Sequence, residues 1–70
     1  MKCEMGKKLK IARILADKTQ SQLAAEIGVS RDYISMLETG RKNNPSLEFM
    51  KKISKALDVP VMELFFDENQ

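Results

Sequence analysis

Histidine and tryptophan are absent from this 70-residue sequence, and cysteine occurs once, at Cys3. Without histidine, the Ser-His and Cys-His catalytic arrangements and the histidine-containing zinc sites are excluded. The single cysteine excludes a disulfide within the chain, and it suits a reducing compartment. The three glycines form no phosphate-cradling run, so no dinucleotide or P-loop motif is present. We therefore expect a protein that is not an enzyme and that holds no cofactor and no metal.

Long apolar runs are also missing. Residues 1–10 carry positive charge without a long apolar stretch, which predicts neither a signal peptide nor a membrane span. We expect a cytoplasmic protein with no membrane partner. The length fits one small domain over residues 1–70. A chain of this size buries only about 60% of its unfolded surface, so compact helix packing or a dimer partner would add to its stability.

The net charge of +2 conceals an asymmetry along the chain. All 12 basic residues lie in residues 1–60, together with seven acids, whereas residues 61–70 hold three acids and no base. Excess positive charge away from an acidic end suits a molecule that contacts a polyanion with one face. On charge alone, a solvated surface with chance clustering is an equally good interpretation.

Apolar periodicity and capping residues predict the first two helices. Met5, Leu9, Ala12 and Ala16 recur at helical spacing and predict a first helix over residues 6–17. Thr19 stands three residues before a glutamine, as in the capping box that begins a helix. The second helix is expected to end at a glycine, residue 28, because glycine readily adopts the left-handed conformation of a helix end.

The next residues predict a helix-turn-helix. Ser30 is a candidate N-cap for a third helix over Arg31–Thr39, which Gly40 would end. So short a glycine-containing turn does not allow antiparallel packing, and the two helices must cross steeply. The predicted helix-turn-helix covers about residues 19–40.

A fourth and a fifth helix complete the predicted fold. Pro45 disfavours helix at the residue before it, and Ser46 can cap a fourth helix that runs to Leu57. A break at residues 58–60 precedes a short fifth helix over residues 61–66. No alternating strand pattern is present, so we predict an all-α bundle of about five helices with its core over about residues 5–66. The apolar half of the fourth helix comprises Leu47, Phe49, Met50, Ile53, Ala56 and Leu57, and its solvated half comprises Lys51, Lys52 and Lys55.

The third helix has two chemically distinct faces. Ile34 and Leu37 share the face expected to point into the core. The opposite face carries groups that read base edges in the major groove: arginine for guanine, aspartate for cytosine, methionine for the thymine methyl. For the aspartate, stabilisation of the helix dipole is an equally good interpretation. For the methionine, incidental exposure on the outer face is an equally good one. The candidate base-contacting residues are Arg31, Asp32, Ser35 and Met36.

The segment TQSQLAAEIGVSRDYISMLETGRKNNPS resembles the helix-turn-helix of the lambda-type repressor and Cro family. The family pattern is T-Q-x-x-L-A-x-x-x-G-V-S-x-x-x-I-S-x-x-E-x-G, followed by a basic or amide-rich loop and Pro-Ser. The resemblance extends over about residues 5–66. It implies a five-helix DNA-binding domain that acts as a homodimer on a palindromic operator, here as a transcriptional regulator and most simply as a repressor. The matching residues are Thr19, Gln20, Leu23, Ala24, Gly28, Val29, Ser30, Ile34, Ser35, Glu38 and Gly40.

The resemblance also implies roles for individual residues. Arg13 and Glu38 match a pair that forms an ion pair between the first and third helices. Lys18 stands where the family usually has an apolar residue, which implies a looser turn or a lysine stem that covers the core. Asparagines in the loop replace the usual Lys or Arg and weaken its attraction for phosphate. The candidate phosphate-contacting residues are Thr19, Gln20, Ser30, Tyr33, Thr39, Arg41, Asn43, Asn44 and Ser46.

The end of the chain is apolar enough to suggest a dimer interface. The fifth helix has more apolar side chains than a short helix buries against its own core, so some are expected to meet a second copy. The candidate interface residues are Val61, Leu64, Phe65 and Phe66; the alternative places Leu64 and Phe65 in the core. Ile14 lies off the inward stripe of the first helix and is a further candidate interface residue.

The expected partners are a double-stranded DNA operator, a second copy of the chain and RNA polymerase contacted from an adjacent site. Arg31-x-Tyr33-Ile34-Ser35 is similar to a string in the restriction-modification controller proteins, which are compact members of the family. A phage-repressor-like member is the other interpretation. The alternative function is a protein-interaction module of the same fold, such as an antitoxin or a transcription-bridging factor.

Overall fold

The computed structural model describes residues 4–42 and 44–65, and within them it shows five helices and no strand. This confirms the all-α prediction. None of these helices has the length and apolar character that crossing a membrane requires. The helices are α1 (Glu4–Leu15), α2 (Gln20–Ile27), α3 (Arg31–Thr39), α4 (Leu47–Leu57) and α5 (Val61–Phe65).

The three central helices begin at the capping residues that the sequence indicates. Thr19 Oγ1 accepts a hydrogen bond from the Gln22 backbone N–H at 3.0 Å, and Gln22 Oε1 accepts one from the Thr19 N–H at 2.8 Å. The hydroxyl oxygens of Ser30 and Ser46 each accept a bond from the backbone N–H three residues later, at 3.1 Å. These bonds satisfy donors that the first turn of a helix leaves without an intrahelical partner.

A turn of three residues, 28–30, joins α2 to α3. Gly28 has a φ of 79°, a left-handed conformation that side chains other than glycine rarely adopt, and its N–H donates to the Ala24 carbonyl oxygen at 2.9 Å. The chain can therefore change direction sharply and begin α3 at Arg31. The predicted helix-turn-helix is confirmed.

The end of α1 differs from the prediction by two residues. We expected the helix to continue to Asp17, but it ends at Leu15. Asp17 adopts a left-handed φ of 60°, and the Lys18 N–H bonds back to the Arg13 carbonyl oxygen at 3.2 Å. Aspartate tolerates this conformation better than most residues, so it can end a helix where glycine is absent.

One hydrophobic core lies between the five helices. α1 packs against α3 and α5, α2 packs against α3 and α4, and α4 packs against α5. The buried side chains of the core are Leu9, Leu23, Ala24, Ile27, Ile34, Leu37, Phe49, Ile53, Leu57, Leu64 and Phe65.

The structure places the apolar residues of α5 and corrects one expectation about α4. Leu64 and Phe65 are 1% and 8% exposed within the single chain, so α5 buries them against its own core, as the alternative interpretation of these two residues expected. Val61 is half-buried, whereas Phe66 lies outside the described residues. Leu47, expected on the buried half of α4, is exposed because it stands at the first position of the helix.

At Gly6 the backbone of α1 approaches that of α3 closely. A Cβ atom at this position would lie 2.6 Å from the carbonyl oxygens of both Leu37 and Glu38. The two backbones are therefore in contact, with no room for a side chain. The sequence indicated Gly6 only as a residue near the start of the first helix.

We expect the substitution Gly6→Ala to lower the free energy of unfolding by about 1–2 kcal/mol. Alanine improves helix propensity by up to about 1 kcal/mol, but overpacking against backbone costs typically about 1–3 kcal/mol. Chemical denaturation measures the change. Lys10→Ala is the control, because Lys10 is exposed on the same helix and its replacement is expected to be neutral. A Gly6→Ala protein as stable as the control would contradict the close contact.

Candidate nucleic-acid interface

The outer face of α3 is open to solvent at the start of the helix. Ile34 and Leu37 are buried, as expected. The side chains of Arg31 and Asp32 are 56% and 83% exposed. Ser35 and Met36, which complete the predicted base-contacting set, are half-buried. The helix therefore packs on one face and presents a charged group of each sign on the other.

Arg31 is held in place although it is exposed. Its Nη1 donates a hydrogen bond to Gln20 Oε1 at 2.9 Å, so the side chain is joined to the first residue of α2. Its Nη2 lies 3.9 Å from Asp32 Oδ1. An exposed ion pair at that separation contributes little stability, so the bond to Gln20 is the contact that orients the guanidinium.

The bond to Gln20 continues into the core. Gln20 Nε2 donates to Glu38 Oε1 at 3.0 Å. The buried Glu38 also accepts bonds from Arg13, from Nε to Oε2 at 2.6 Å and from Nη2 to Oε1 at 3.2 Å. The ion pair that the family resemblance implies is thus present, and it lies within a longer chain of bonds. We call Arg13, Glu38, Gln20 and Arg31 the polar relay.

The polar relay makes the position of an exposed side chain depend on buried ones. Arg13 is fixed further by the bond from its Nη1 to the Lys18 carbonyl oxygen at 2.7 Å. Because Glu38 receives three of the bonds, its carboxylate is the group that holds α1, α2 and α3 in register. Sequence reasoning found the members of the relay separately but did not join them, since the residues are up to 25 positions apart.

Three of the candidate phosphate-contacting residues are helix N-caps. Thr19, Ser30 and Ser46 are exposed, and each hydroxyl oxygen accepts a backbone N–H bond. A hydroxyl that accepts such a bond keeps its own proton, which it can donate to a phosphate oxygen. The N-terminal ends of helices also carry partial positive charge. Thr39 lies at the other end of α3, where its hydroxyl donates to the Met36 carbonyl oxygen at 3.3 Å.

The loop between α3 and α4 carries exposed cationic and amide groups. Arg41 and Asn44 are exposed, whereas Asn43 lies outside the described residues. Lys42, which sequence reasoning did not single out, places its Nζ 5.9 Å from the centre of the Tyr33 ring. Its position directly after Arg41 in the loop could have identified it as a second cation from the sequence. This loop can therefore offer two cations to a polyanion.

Tyr33 lies between the core and the surface. Its half-buried ring packs edge-to-face on Phe49, with 4.8 Å between the ring centres and an angle of 86° between the planes. This contact joins α3 to α4 and fixes the ring.

Lys18 has a role that the sequence did not predict. Its Nζ donates to both carboxylate oxygens of Glu26, at 2.7 and 2.9 Å, and to the Ala56 carbonyl oxygen at 3.0 Å. The half-buried lysine therefore links the turn before α2 to the end of α4. These bonds explain how a lysine can occupy a position where the family usually has an apolar residue.

The comparisons with known proteins identify the family. The helix-turn-helix family model HTH_3 matches residues 9–64, which include all of α2, α3 and α4. The chain belongs to the helix-turn-helix family of lambda repressor/Cro type.

Among the described residues, no group of acidic or cysteine side chains is arranged to hold a metal ion.

Individual relatives are transcriptional regulators. The chain is 41% identical over 61 residues to SlrR of Bacillus subtilis, covering 87% of this chain and 40% of that protein. It is 33% identical over 66 residues to SinR of Bacillus subtilis, covering 94% of this chain and 60% of SinR. The chain thus spans about half the length of these two relatives.

Solved structures share the fold. The crystal structure of SinR in complex with DNA superposes with a TM-score of 0.82 at 37% identity, covering 86% of this chain and 95% of that one. The restriction-modification controller protein C.AhdI of Aeromonas hydrophila superposes with a TM-score of 0.81 at 34% identity, covering 89% and 88%.

Proposed function

We propose that this chain is a sequence-specific DNA-binding transcriptional regulator that reads its operator with the outer face of α3 in the major groove. The observation that carries the proposal is the polar relay, which holds an exposed arginine at the start of α3. The likeness to a SinR structure in complex with DNA supports it. Because the relay already limits the conformations of Arg31, the side chain loses less conformational entropy when it binds.

Arg31 is the principal base-reading group in this proposal. A guanidinium donates two bonds to O6 and N7 of guanine, a pairing that no other base offers in the major groove. The Asp32 carboxylate accepts a bond from the amino group of cytosine. Ser35 and Met36 contact bases further along the groove, the thioether against a thymine methyl. Their partial burial limits them to bases that lie directly on the helix.

Contacts to phosphate fix the position of α3 but carry no sequence information. Gln20 is proposed to orient Arg31 and also to contact a phosphate, because it accepts a bond from Arg31 and stands at the N-terminus of α2. The hydroxyl of Tyr33 is proposed to reach the phosphate backbone of the DNA beside Arg41 and Lys42. The full proposed phosphate-contacting set is Thr19, Gln20, Ser30, Tyr33, Thr39, Arg41, Asn43, Asn44 and Ser46.

The regulator is proposed to act as a homodimer on a palindromic operator. Two copies related by a twofold axis would place their α3 helices in successive major grooves, about 34 Å apart. Occupancy of such a site blocks transcription when it overlaps a promoter, so repression is the expected outcome. Contact with RNA polymerase from an adjacent site stays a prediction, as does the cytoplasmic location.

The substitution Arg41→Ala tests the proposed phosphate contacts. We expect it to weaken binding to all DNA sequences by a similar factor and to reduce the slope of log K against log salt by about 1, since one phosphate contact is lost. Fluorescence anisotropy at several salt concentrations measures the slope. Lys55→Ala is the matched control, because Lys55 is exposed near the C-terminal end of α4, away from the loop. If the slope of log K against log salt were equal in the two variants, Arg41 would not contact a phosphate.

A further inference from the structure

The chain folds back along α3 directly after that helix ends. Gly40 adopts a left-handed conformation, with a φ of 85°. The backbone N–H groups of Arg41 and Lys42 then donate to the Met36 carbonyl oxygen, at 2.9 and 3.1 Å. These bonds fix the backbone of Lys42 at the C-terminal end of α3. The side chain of Lys42 returns towards the start of the helix, because its Nζ lies over the ring of Tyr33, 5.9 Å from the ring centre.

The aromatic ring beneath this ammonium group is itself anchored. Phe49, which is 7% exposed, packs against the Tyr33 ring at a centre-to-centre distance of 4.8 Å, with the planes nearly perpendicular. Edge-to-face contacts of this kind hold both rings in a defined orientation. A cation above an aromatic ring is attracted by the negative potential of the ring face. One ring therefore joins the exposed cation of Lys42 to the hydrophobic core.

The contact with the ring leaves the charge of Lys42 available to an anion. Within residues 4–42 and 44–65, the Lys42 ammonium forms no ion pair and no hydrogen bond. It differs in this from Lys18, whose ammonium donates to both carboxylate oxygens of Glu26. An ammonium group has three N–H donors, and a ring face occupies none of the directions that point away from it. The exposed group can therefore donate to an oxyanion such as phosphate.

We propose that Tyr33 is a positioning residue whose ring holds the Lys42 ammonium beside α3 for contact with a phosphate of the DNA backbone. This inference deepens the proposed function and rests on it. Tyr33 stands two positions after Arg31, so a cation over its ring lies alongside the proposed base-reading part of the helix. The role belongs to the ring, and it is separate from the phosphate contact proposed for the hydroxyl.

The physical advantage of such a ring is preorganisation. Lysine has a long flexible stem, and only some of its conformers place the ammonium beside a given phosphate. When the competent conformer is populated for a fraction of the time, the apparent affinity is reduced by that fraction. A cation–π contact at an exposed site favours the held conformer by about two- to fivefold. Loss of the ring is therefore expected to weaken DNA binding by a similar factor.

Nuclear magnetic resonance of the free protein tests the ring contact without DNA. The ring current of Tyr33 is expected to move the ε-methylene proton signals of Lys42 upfield of those of Lys55, an exposed lysine of α4. Tyr33→Phe should keep this shift because the ring remains, whereas Tyr33→Leu should lose it. The proposal is wrong if the wild-type signals of the two lysines coincide, or if the shift survives in Tyr33→Leu.

A double-mutant cycle tests whether the ring acts on DNA through Lys42. The probe is a fluorescein-labelled, mixed-sequence duplex of about 20 base pairs, because phosphate contacts carry no sequence information. Relative to Tyr33→Phe, which lacks only the hydroxyl, Tyr33→Leu is expected to weaken binding about two- to fivefold. In the Lys42→Gln background the same comparison should show no difference, since the cation that the ring positions is gone.

The salt dependence of binding shows whether Lys42 contacts a phosphate. Lys42→Gln is expected to reduce the slope of log K against log salt by about 0.9, the contribution of one neutralised phosphate. Lys55→Gln is the matched control, and it should keep the wild-type slope. Circular dichroism verifies that each variant is folded.

Two results of the DNA measurements would overturn the proposal alone. If the loss in Tyr33→Leu were equal with and without Lys42, the ring would support the fold and not the cation. If Lys42→Gln kept the wild-type slope, Lys42 would bind no phosphate, and the proposed function would stand on the remaining contacts. A wild-type protein that binds no DNA would overturn the proposed function together with this proposal.

Discussion

The substitution Glu38→Ala is expected to lower the free energy of unfolding by about 3–5 kcal/mol. Glu38 and Arg13 are both buried, and the carboxylate accepts two bonds from the guanidinium and one from Gln20. Removing the carboxylate leaves Arg13 as a buried cation, and among the described residues its one remaining partner is the Lys18 carbonyl oxygen. Since a domain of this size is marginally stable, a loss of this magnitude removes a large part of its free energy of unfolding.

Urea denaturation of Glu38→Ala and Glu26→Ala measures this effect against a matched control. Glu26 also forms a close carboxylate bond to a cation, with Lys18, but its side chain is 44% exposed. Breaking that pair is expected to cost less than about 1 kcal/mol, because solvent screens the charges. If both variants lost a similar amount of unfolding free energy, burial would not be the reason that the Arg13–Glu38 pair stabilises the fold.

A double substitution separates stability from DNA recognition. Replacing both Arg13 and Glu38 by apolar residues, as in Arg13→Met/Glu38→Leu, leaves no uncompensated charge and is expected to recover most of the stability lost in Glu38→Ala. Gln20 would still lack its anchor, so Arg31 would be less well positioned. The double variant is therefore expected to fold but to discriminate less well between operators than the wild type.

The substitution Arg31→Ala is expected to remove discrimination at one base position of each half-site, with a loss of about 1–3 kcal/mol in specific binding. The fold should be unaffected, because more than half of the side chain is exposed. The measurement is competition binding to the operator and to its three single-base variants at the contacted position. The wild type should prefer guanine, whereas Arg31→Ala should bind all four sequences with similar affinity.

The matched control for Arg31 is Arg41→Ala. Both residues are exposed arginines on or beside α3, but only Arg31 belongs to the polar relay. Arg41→Ala is expected to lower affinity for every sequence while keeping the preference for guanine. An unchanged base preference in Arg31→Ala would contradict its role as a base-reading residue.

Features that depend on neighbouring residues could be predicted from the sequence. The N-caps at Thr19, Ser30 and Ser46 act within three residues, so their pattern identifies the start of each helix. The two faces of α3 follow from the spacing of Ile34 and Leu37. These signals are local, and they were sufficient to predict the helix-turn-helix.

Features that depend on distant residues could not be predicted. The contact of Gly6 with the α3 backbone and the bond from Lys18 to Ala56, 38 positions away, arise only once the helices pack. The same limit applies to α5: its apolar composition suggested an interface, but composition does not reveal how much of a short helix its own core covers. The polar relay was found as separate residues for the same reason.

Selection from a pool of random DNA at about physiological salt, with wild type and Arg31→Ala in parallel, tests the central claim most directly. A DNA-reading α3 predicts enrichment of an inverted repeat whose half-sites lie about 10 base pairs apart, with a guanine in each half-site that the variant no longer selects. A folded wild-type protein that enriches no sequence would contradict the claim and would favour a protein-interaction module of the same fold.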